Sequence, residues 1–326
     1  MAPVRAIRMS RNNSLYEIAE YLKGQRQLTL LCHVRPDGDT LGCAFGLKAI
    51  LEMQGKEVQV LCADRVSPRY RFLSGGVADL KGEVQGAVVC LDIASPTMAG
   101  DYTDAALNAD VVIDHHPTNP LYGKRNYVDP AAAATGEIMV ALAKELGGMN
   151  RKAAECFYTA IATDTGCFKY GSTTVDTHLA SAEAIAVGID LKGLNKWLFQ
   201  TKRKAEFDLN RKAMETMRYY GDGKIVTMQI TLAMLEETGA GADELEVISS
   251  VPIQVEGVAA SATFKEMEAE CYKVSVRTDG SVHGGEICAQ FGGGGHAQAA
   301  GCTMVGRYAE LEAQMVEALH KALERR

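Results

Sequence analysis

The chain has 326 residues, and its content of 47% hydrophobic and 23% charged residues is typical of a water-soluble globular protein. Its length predicts two domains, and no apolar run approaches the roughly 20 residues that a membrane-spanning helix needs. The 34 basic and 41 acidic residues give a formal net charge of −7, which argues against electrostatic binding of long nucleic acids.

The first half of the chain predicts a parallel sheet with helices on both faces. Ser14 and Glu17 form a capping box, which begins a helix that ends at Gly24. Apolar runs predict strands near 28–32, 58–63, 87–92 and 111–114, and the intervening segments predict a helix of about four turns ending at Gly55 and helices near 136–146, 153–162 and 175–187. Because the strands are continuously apolar and alternate with helices, residues 1–190 are expected to form an α/β domain.

The second half of the chain has a different order of elements. Residues 191–220 are charged and helical in pattern, which predicts a connector. Strands are predicted near 224–231, 255–264 and 271–277, with helices near 242–249 and from 308 to the end. Residues 221–326 are therefore expected to form a smaller α+β domain with a mixed sheet.

Nine cysteines are scattered along the chain without any Cys-x-x-Cys spacing and with mostly apolar neighbours. This pattern indicates buried, reduced thiols rather than a disulfide framework or a metal site. The N-terminal residues lack the apolar segment of a signal peptide. We therefore expect a cytoplasmic protein.

Four polar segments follow predicted strands or end a helix. The first contains His33, Asp37 and Asp39, the second is Asp92, the third is Asp114-His115-His116, and the fourth begins at Asp164. Because the carboxyl ends of parallel strands share one edge of a sheet, where ligands bind, the first three segments are expected to converge there.

Carboxylates gathered at one edge repel one another unless a positive charge lies among them, and divalent metal is the economical source of that charge. Histidine nitrogen together with carboxylate oxygen suits Mn²⁺, with Mg²⁺ or Co²⁺ as substitutes. Six candidate ligands are too many for one ion. Two ions sharing a carboxylate and activating water between them would suit attack on phosphorus.

Each segment also has a simpler interpretation. Asp37 and Asp39 flank a glycine after a proline and are compatible with a turn. Asp92 could cap a helix, Asp164 could simply end one, and a single histidine such as His33 is more often structural than a ligand. Asp114-His115-His116 is the least turn-like, because an apolar strand runs directly into three titratable groups. The alignment of these segments at strand ends favours a site.

These segments resemble the motifs of the DHH phosphoesterase family over essentially the whole chain. The first motif is His33-x-x-Pro36-Asp37-x-Asp39-x-x-Gly42, the second is Asp92, the third is Asp114-His115-His116, and the fourth is Asp164-Thr165-Gly166-x-Phe168. Cys43 departs from the pattern, because this position often carries a small hydroxyl residue.

The resemblance implies a role for each residue of the site. His33 and Asp37 would bind one metal ion, Asp39, His115 and Asp164 would bind the other, and Asp92 would bridge the two. His116 would face the substrate phosphate, and Asp114 would orient a histidine. Arg35 is a further candidate for stabilising charge on the phosphoryl oxygens.

A glycine-rich segment near the C-terminus resembles the DHH-associated substrate-binding domain. It comprises Gly292-Gly293-Gly294-Gly295-His296 and the small residues that follow, and it is preceded by Arg277. Consecutive glycines can expose N–H groups as a phosphate-binding nest, and the histidine and arginine could add charge-assisted bonds. The simpler interpretation is a flexible loop and an ordinary surface arginine.

The pairing of the two domains looks most like the bacterial oligoribonuclease and 3′-phosphoadenosine-5′-phosphate phosphatase subfamily. This resemblance implies hydrolysis of short RNA or small adenine nucleotides. We hypothesise that a gap between the domains acts as a ruler for substrate length, and we expect neither long duplex nucleic acid nor a membrane as a partner. A cyclic-dinucleotide phosphodiesterase and a catalytically silent nucleotide-binding regulator remain as alternatives, and the sequence leaves a homodimer open.

Overall fold

The computed structural model describes residues 12–241 and 248–325 and divides the chain into two compact units, Met1–Thr201 and Lys202–Arg326. The division falls inside the predicted connector 191–220. Most of the helix predicted near 242–249 lies outside the described residues. In the part of the chain that is described, no helix is both long and apolar enough to cross a lipid bilayer.

The first unit contains a parallel sheet, as predicted, and this sheet has five strands. Its strands are β1 Gln27–Leu31, β2 Glu57–Leu61, β3 Ala87–Leu91, β4 Val111–Asp114 and β5 Asn126–Val128. The order across the sheet is β2-β1-β3-β4-β5, and every pair is parallel. The three-residue β5 was not predicted, because so short a run carries no periodic signal.

Helices and short turns of helix surround this sheet. They are α1 Leu15–Lys23, α2 Gly38–Met53, a 3₁₀ segment Pro96–Tyr102, α3 Thr103–Leu107, α4 Thr135–Glu145, α5 Arg151–Asp164, α6 Val175–Ala186, α7 Leu191–Asn195 and a π-helix Lys196–Gln200. The predicted capping box of Ser14 and Glu17 begins α1.

The apolar residues of β1 to β4 are divided between two clusters. Leu30 and Val89 pack with α1, α2, α4 and α5, whereas Leu31 and Cys90 pack with the 3₁₀ segment and α3. The sheet is therefore buried on both faces, and this explains why its strands are continuously apolar.

Three glycines of α2 bring it against α5. Gly38, Gly42 and Gly46 recur every four residues and share one face of the helix. A Cβ added at Gly42 would lie 2.5 Å from the carbonyl oxygen of Cys156, and one at Gly46 would lie 2.2 Å from the ring of Phe157. The close packing places Asp164, the last residue of α5, next to the first turn of α2.

The second unit contains a mixed sheet, as predicted, and it has six strands rather than the three that were predicted. Its strands are β6 Arg218–Tyr220, β7 Ile225–Ile230, β8 Ala260–Glu268, β9 Cys271–Thr278, β10 Gly294–Gly295 and β11 Ala299–Val305. The order is β10-β11-β9-β8-β7-β6, in which β7 and β8 are parallel and the other pairs are antiparallel. The helices described in this unit are α8 Lys204–Met214, α9 Leu232–Thr238, α10 Gly284–Ala289 and α11 Tyr308–Glu324.

The predicted strand 255–264 begins only at Ala260. Gly257 adopts φ = +83° and turns the chain before the strand. Residues 218–220, predicted to lie in the connector, pair with β7 as part of the second sheet.

Candidate metal and phosphate site

The candidate ligands of the first unit follow three neighbouring strands. His33 lies two residues after β1, Asp92 directly follows β3, and His115 directly follows β4. Because the chain proceeds from β1 outward to β2 and then returns to β3 on the other side, the order of the sheet reverses between β1 and β3. A crevice opens at such a reversal, at the carboxyl ends of the strands.

His33, Asp37 and Asp92 form the first ligand group. The Nδ1 atom of His33 is 2.8 Å from the carbonyl oxygen of Val34, which leaves Nε2 for a metal ion. This Nε2 is 3.5 Å from Oδ1 of Asp37 and 3.5 Å from Oδ2 of Asp92. Asp37 is also the N-cap of α2, because its carboxylate accepts from the N–H groups of Asp39 and Thr40.

Asp39, His115 and Asp164 form the second ligand group. The Nδ1 atom of His115 is 3.1 Å from the carbonyl oxygen of Ala132, so its Nε2 is again the atom left for a ligand bond. This Nε2 is 3.5 Å from Oδ2 of Asp164, 4.0 Å from Oδ2 of Asp39 and 3.6 Å from Oδ1 of Asp92. Ligand atoms about 2.1 Å from a common ion are roughly 3 Å apart when adjacent and up to about 4.2 Å apart when opposite, so these separations are compatible with a cation.

Asp92 lies between the two groups. Its Oδ2 atom is on the side of His33, and its Oδ1 atom is on the side of His115. Its backbone has φ = +60°, which is uncommon for a residue other than glycine and often marks a functional position. The carboxylate is almost fully buried and faces both groups.

A segment that the sequence analysis missed also contacts these ligands. The N–H groups of Thr135 and Gly136, at the start of α4, donate to the two oxygens of Asp39 at 2.7 and 2.8 Å. The hydroxyl of Thr135 donates to Oδ1 of Asp92 at 2.9 Å. Most of these contacts use main-chain atoms, which leave no mark in the sequence.

The pKa values of the acidic groups reflect their crowding. Burial and the neighbouring carboxylates Asp92 and Asp164 raise the pKa of Asp39 well above its ordinary value. Burial raises the pKa of Asp164 to about 6, with Asp92 adding to the effect and His115 opposing it. Burial would raise the pKa of Asp37, but the hydrogen bond with His33 lowers it.

The donor set therefore fits two divalent cations. Each group offers one imidazole Nε2 and two or more carboxylates, with all of its ligand atoms within 4.8 Å of one another. Two cations would offset the repulsion that raises the pKa values of Asp39 and Asp164. The mixture of nitrogen and oxygen donors suits first-row metals.

We expect the metal-free protein to become less stable as the pH rises from about 4.5 to 7. Asp164 titrates at about 6 in the folded protein and Asp39 is raised as well, whereas both titrate near 3.9 in an unfolded chain. The folded protein therefore retains protons that the unfolded chain has lost, and the free energy of unfolding falls with rising pH. Thermal unfolding midpoints in EDTA check this expectation.

Saturating Mn²⁺ should reverse the trend, because metal binding requires deprotonated carboxylates. Asp37 and Asp114 have lowered pKa values in the folded protein. Their contributions to the free energy of unfolding are therefore lost only as the pH falls below this window. Burial lowers the pKa of His33, but the hydrogen bonds that its ring donates to Asp37 and Asp92 outweigh burial and raise this pKa to about 11. The contribution of His33 to stability therefore falls only above about pH 6.5. A midpoint in EDTA that rises across the window would contradict the expectation.

His116 lies beside the two ligand groups and is held by Asp114. The Nδ1 atom of His116 is 2.8 Å from Oδ1 of Asp114, which leaves Nε2 available to a substrate. This hydrogen bond raises the pKa of His116, although burial opposes it. Asn119, which the sequence analysis missed, donates to Oδ2 of Asp114 at 2.7 Å. His116 is 38% exposed, whereas Asp114 is fully buried, so the histidine is the member of the pair that a substrate can reach.

Two other residues near this edge have well-defined contacts. Arg35 has φ = +52°, and its backbone N–H donates to Asp64 at 2.8 Å while the residue itself is exposed. The Cys43 thiol donates to Oδ1 of Asp39 at 3.3 Å. Burial raises the pKa of Cys43 well above its ordinary value, so the thiol stays a neutral donor, as a hydroxyl would at this position.

The glycine-rich segment of the second unit is a short strand rather than an open nest. The N–H of Gly293 donates to the carbonyl of Cys288 at 2.9 Å, and that of His296 donates to the carbonyl of Ala299 at 2.8 Å. Gly294 and Gly295 form β10 and pair with β11. The N–H of Gly293 is therefore not free to bind a phosphate, so the predicted row of free glycine N–H groups is interrupted at this residue.

Close packing explains the glycines in this segment. A Cβ added at Gly293 would lie 2.2 Å from the carbonyl oxygen of Gly301, and one at Gly295 would lie 2.6 Å from Cα of Ala300. Arg277 lies on β9, the strand next to β11, and its Nη1 donates to the carbonyl of Val276 at 3.0 Å. Among the described residues Arg277 has no ion-pair partner, while burial lowers its pKa.

The first unit is a parallel α/β fold in which two His/Asp groups share one aspartate, and the second unit is built on a mixed sheet. Sequence comparison identifies a family of proteins that combines two such domains. Residues 27–161 match the DHH family, N-terminal domain, and residues 222–325 match the DHHA1 domain. The chain belongs to the DHH family.

Its relatives include named enzymes. The chain is 33% identical over 297 residues to the bifunctional oligoribonuclease and PAP phosphatase NrnA of Thermus thermophilus, with 89% of this chain and 88% of that protein covered. It is 30% identical over 278 residues to the protein of the same name from Bacillus subtilis, with 83% and 87% covered. An exopolyphosphatase-related protein from Bacteroides fragilis has the same fold, with a TM-score of 0.83, 23% identity and 95% of each chain covered.

Proposed function

We propose that this protein is a metal-dependent phosphoesterase that hydrolyses short oligoribonucleotides and 3′-phosphoadenosine 5′-phosphate. The observation that carries the proposal is Asp92, whose two oxygens face two different His/Asp groups. The relatives named as bifunctional oligoribonuclease and PAP phosphatase support this choice of substrates. The net charge of −7 suits a small substrate bound in one local pocket better than a long polyanion.

Each ligand group has a place in this proposal. His33 and Asp37 would hold one Mn²⁺ ion, Asp39, His115 and Asp164 would hold a second, and Asp92 would contact both. Such ions supply a water molecule of lowered pKa and neutralise charge on the phosphoryl oxygens. The protein fixes the ring orientation of both candidate ligand histidines before a metal ion binds, because their Nδ1 atoms already bond to carbonyl oxygens.

His116 and Arg35 would act on the substrate itself. Because Asp114 holds Nδ1 of His116, the Nε2 atom can donate to a phosphate oxygen and stabilise its charge as the ester bond breaks. The exposed Arg35 would contact the same phosphate. In the second unit, Arg277, Gly293, Gly294, Gly295 and His296 would bind a further part of the substrate. His296 and Arg277 would do so through side chains, since two of the loop N–H groups are already bonded within the protein.

Cleavage of a 5′-labelled ribodinucleotide, compared with a matched 24-mer, tests this function. We expect rapid release of mononucleotide from the dinucleotide with Mn²⁺, no release with chelator, and slow cleavage of the 24-mer. 3′-Phosphoadenosine 5′-phosphate should lose phosphate under the same conditions. Failure to cut either RNA would refute the substrate assignment.

A cyclic dinucleotide included in the same assay separates the nearest alternative. Faster turnover of the cyclic form than of its linear product would identify a cyclic-dinucleotide phosphodiesterase on this fold. Tight nucleotide binding without metal-dependent turnover would identify a regulator. A cytoplasmic location and a homodimer belong to the proposal and can be checked by fractionation and by light scattering.

A further inference from the structure

Residues 132–136, which end the connection from β5 and form the start of α4, contact three of the candidate ligands although none of the five residues is charged. The carbonyl of Ala132 is bonded to Nδ1 of His115, and the N–H groups of Thr135 and Gly136 bind the two oxygens of Asp39. These main-chain contacts direct one group of ligands and place the positive end of the α4 dipole next to Asp39. A single side chain, that of Thr135, extends the contacts to Asp92.

The Thr135 hydroxyl donates to Oδ1 of Asp92 at 2.9 Å, and the side chain is completely buried. It does not cap α4, whose N-cap is Ala134 without a side-chain bond. The start of the helix therefore does not depend on this hydroxyl. Its bond to Asp92 is a contact that the fold alone does not require.

Asp92 needs such a contact because a carboxylate can turn about its last side-chain bond. In one orientation its oxygens are divided between the two groups, with Oδ2 3.5 Å from His33 and Oδ1 3.6 Å from His115. In another orientation both oxygens would face one group. A donor fixed on the Oδ1 side favours the divided orientation, since it leaves a second lone pair of Oδ1 directed toward the His115 group.

We propose that Thr135 is a positioning residue that holds Asp92 with one oxygen toward each ligand group and so couples the two metal sites. This inference rests on the dinuclear site of the proposed function but not on the nature of the substrate. Removal of contacts to metal ligands typically costs about 10–100-fold in metal affinity or activity. The loss of affinity should concern the second metal ion to bind, because an Asp92 carboxylate that has turned toward one ligand group can still bind the ion held by that group.

The test compares Thr135→Val and Thr135→Ala, which lack the hydroxyl, with Thr135→Ser, which retains it. Unbound Mn²⁺ is measured by electron paramagnetic resonance during titration of each metal-free protein, and kcat and KM are measured separately. We expect two ions per wild-type chain, and a second ion bound roughly 10–100-fold more weakly by the Val and Ala variants, with lower kcat and little change in KM. Thr135→Ser should bind both ions nearly as wild type does.

Thr159→Val is the matched control, because Thr159 is also completely buried but donates to the carbonyl of Glu155 within its own helix. It should reduce stability without changing Mn²⁺ stoichiometry. All proteins are titrated at a temperature at which each remains folded by circular dichroism. Wild-type binding of the second ion by Thr135→Val or Thr135→Ala, or weak binding by Thr135→Ser, would overturn the inference. A wild-type protein that binds two ions but cuts no nucleotide would refute only the proposed substrate.

Discussion

Replacement of Asp92 by asparagine should lower kcat for ribodinucleotide cleavage by roughly 10³-fold or more. Asparagine keeps the shape of the side chain but offers one neutral oxygen and one NH₂ donor in place of two anionic oxygens. The two oxygens of Asp92 face His33 on one side and His115 on the other, so the amide can serve only one of these groups as an acceptor. The variant should therefore bind one Mn²⁺ ion tightly and the second weakly.

Asp104→Asn is a suitable control for this experiment. Asp104 lies exposed in the first turn of α3, away from the ligand groups, and its replacement removes the same charge. Turnover of the control should stay within about twofold of wild type, because exposed substitutions away from a site seldom change the free energy by more than about 0.5 kcal/mol. An Asp92→Asn variant that binds two ions and retains more than a tenth of the wild-type kcat would show that Asp92 does not bridge the site.

The convergence of the candidate ligands could be predicted because their residue types and the sheet topology point to the same edge. Asp114-His115-His116 interrupts an apolar strand, and Asp92 ends another, so both had to emerge at the same edge of a parallel sheet. The division of the ligands into two groups came from the resemblance rather than from spacing, and the structure brings the same residues together. Their metal-binding roles remain predictions.

Other parts of the site left no comparable signal. The amides of Thr135 and Gly136 bind Asp39 through atoms that every residue except proline possesses, and the surrounding alanines look like ordinary helix formers. The role of the glycines near residue 293 could not be decided from the sequence, because both a phosphate-binding nest and close backbone packing need residues without a side chain. In the structure, close packing against β11 explains why residues 293 and 295 are glycines. This part of the motif therefore has a role in the fold whether or not it also binds a ligand.

Gly42 provides a prediction about stability that also reaches the site. Alanine at this position should destabilise the protein by about 2 kcal/mol, although alanine favours helix by about 1 kcal/mol relative to glycine. The added Cβ would lie 2.5 Å from the carbonyl oxygen of Cys156, 2.9 Å from Cβ of Ala160 and 3.1 Å from its nitrogen. Two of these three atoms belong to the backbone of α5, so α2 and α5 must move apart. Chemical denaturation of the metal-free protein measures the change.

The displacement should weaken metal binding as well. Asp39 lies in the first turn of α2 and Asp164 ends α5, so wider packing moves one ligand of the second group away from another. A shift of about 1 Å can cost on the order of 10² in rate. Gly24→Ala is the control, because Gly24 has an ordinary helical φ of −72° and its Cβ would meet only carbonyl oxygens at 3.4 and 3.6 Å. If Gly42→Ala is as stable as Gly24→Ala and binds Mn²⁺ equally well, the packing of α2 on α5 does not position Asp164.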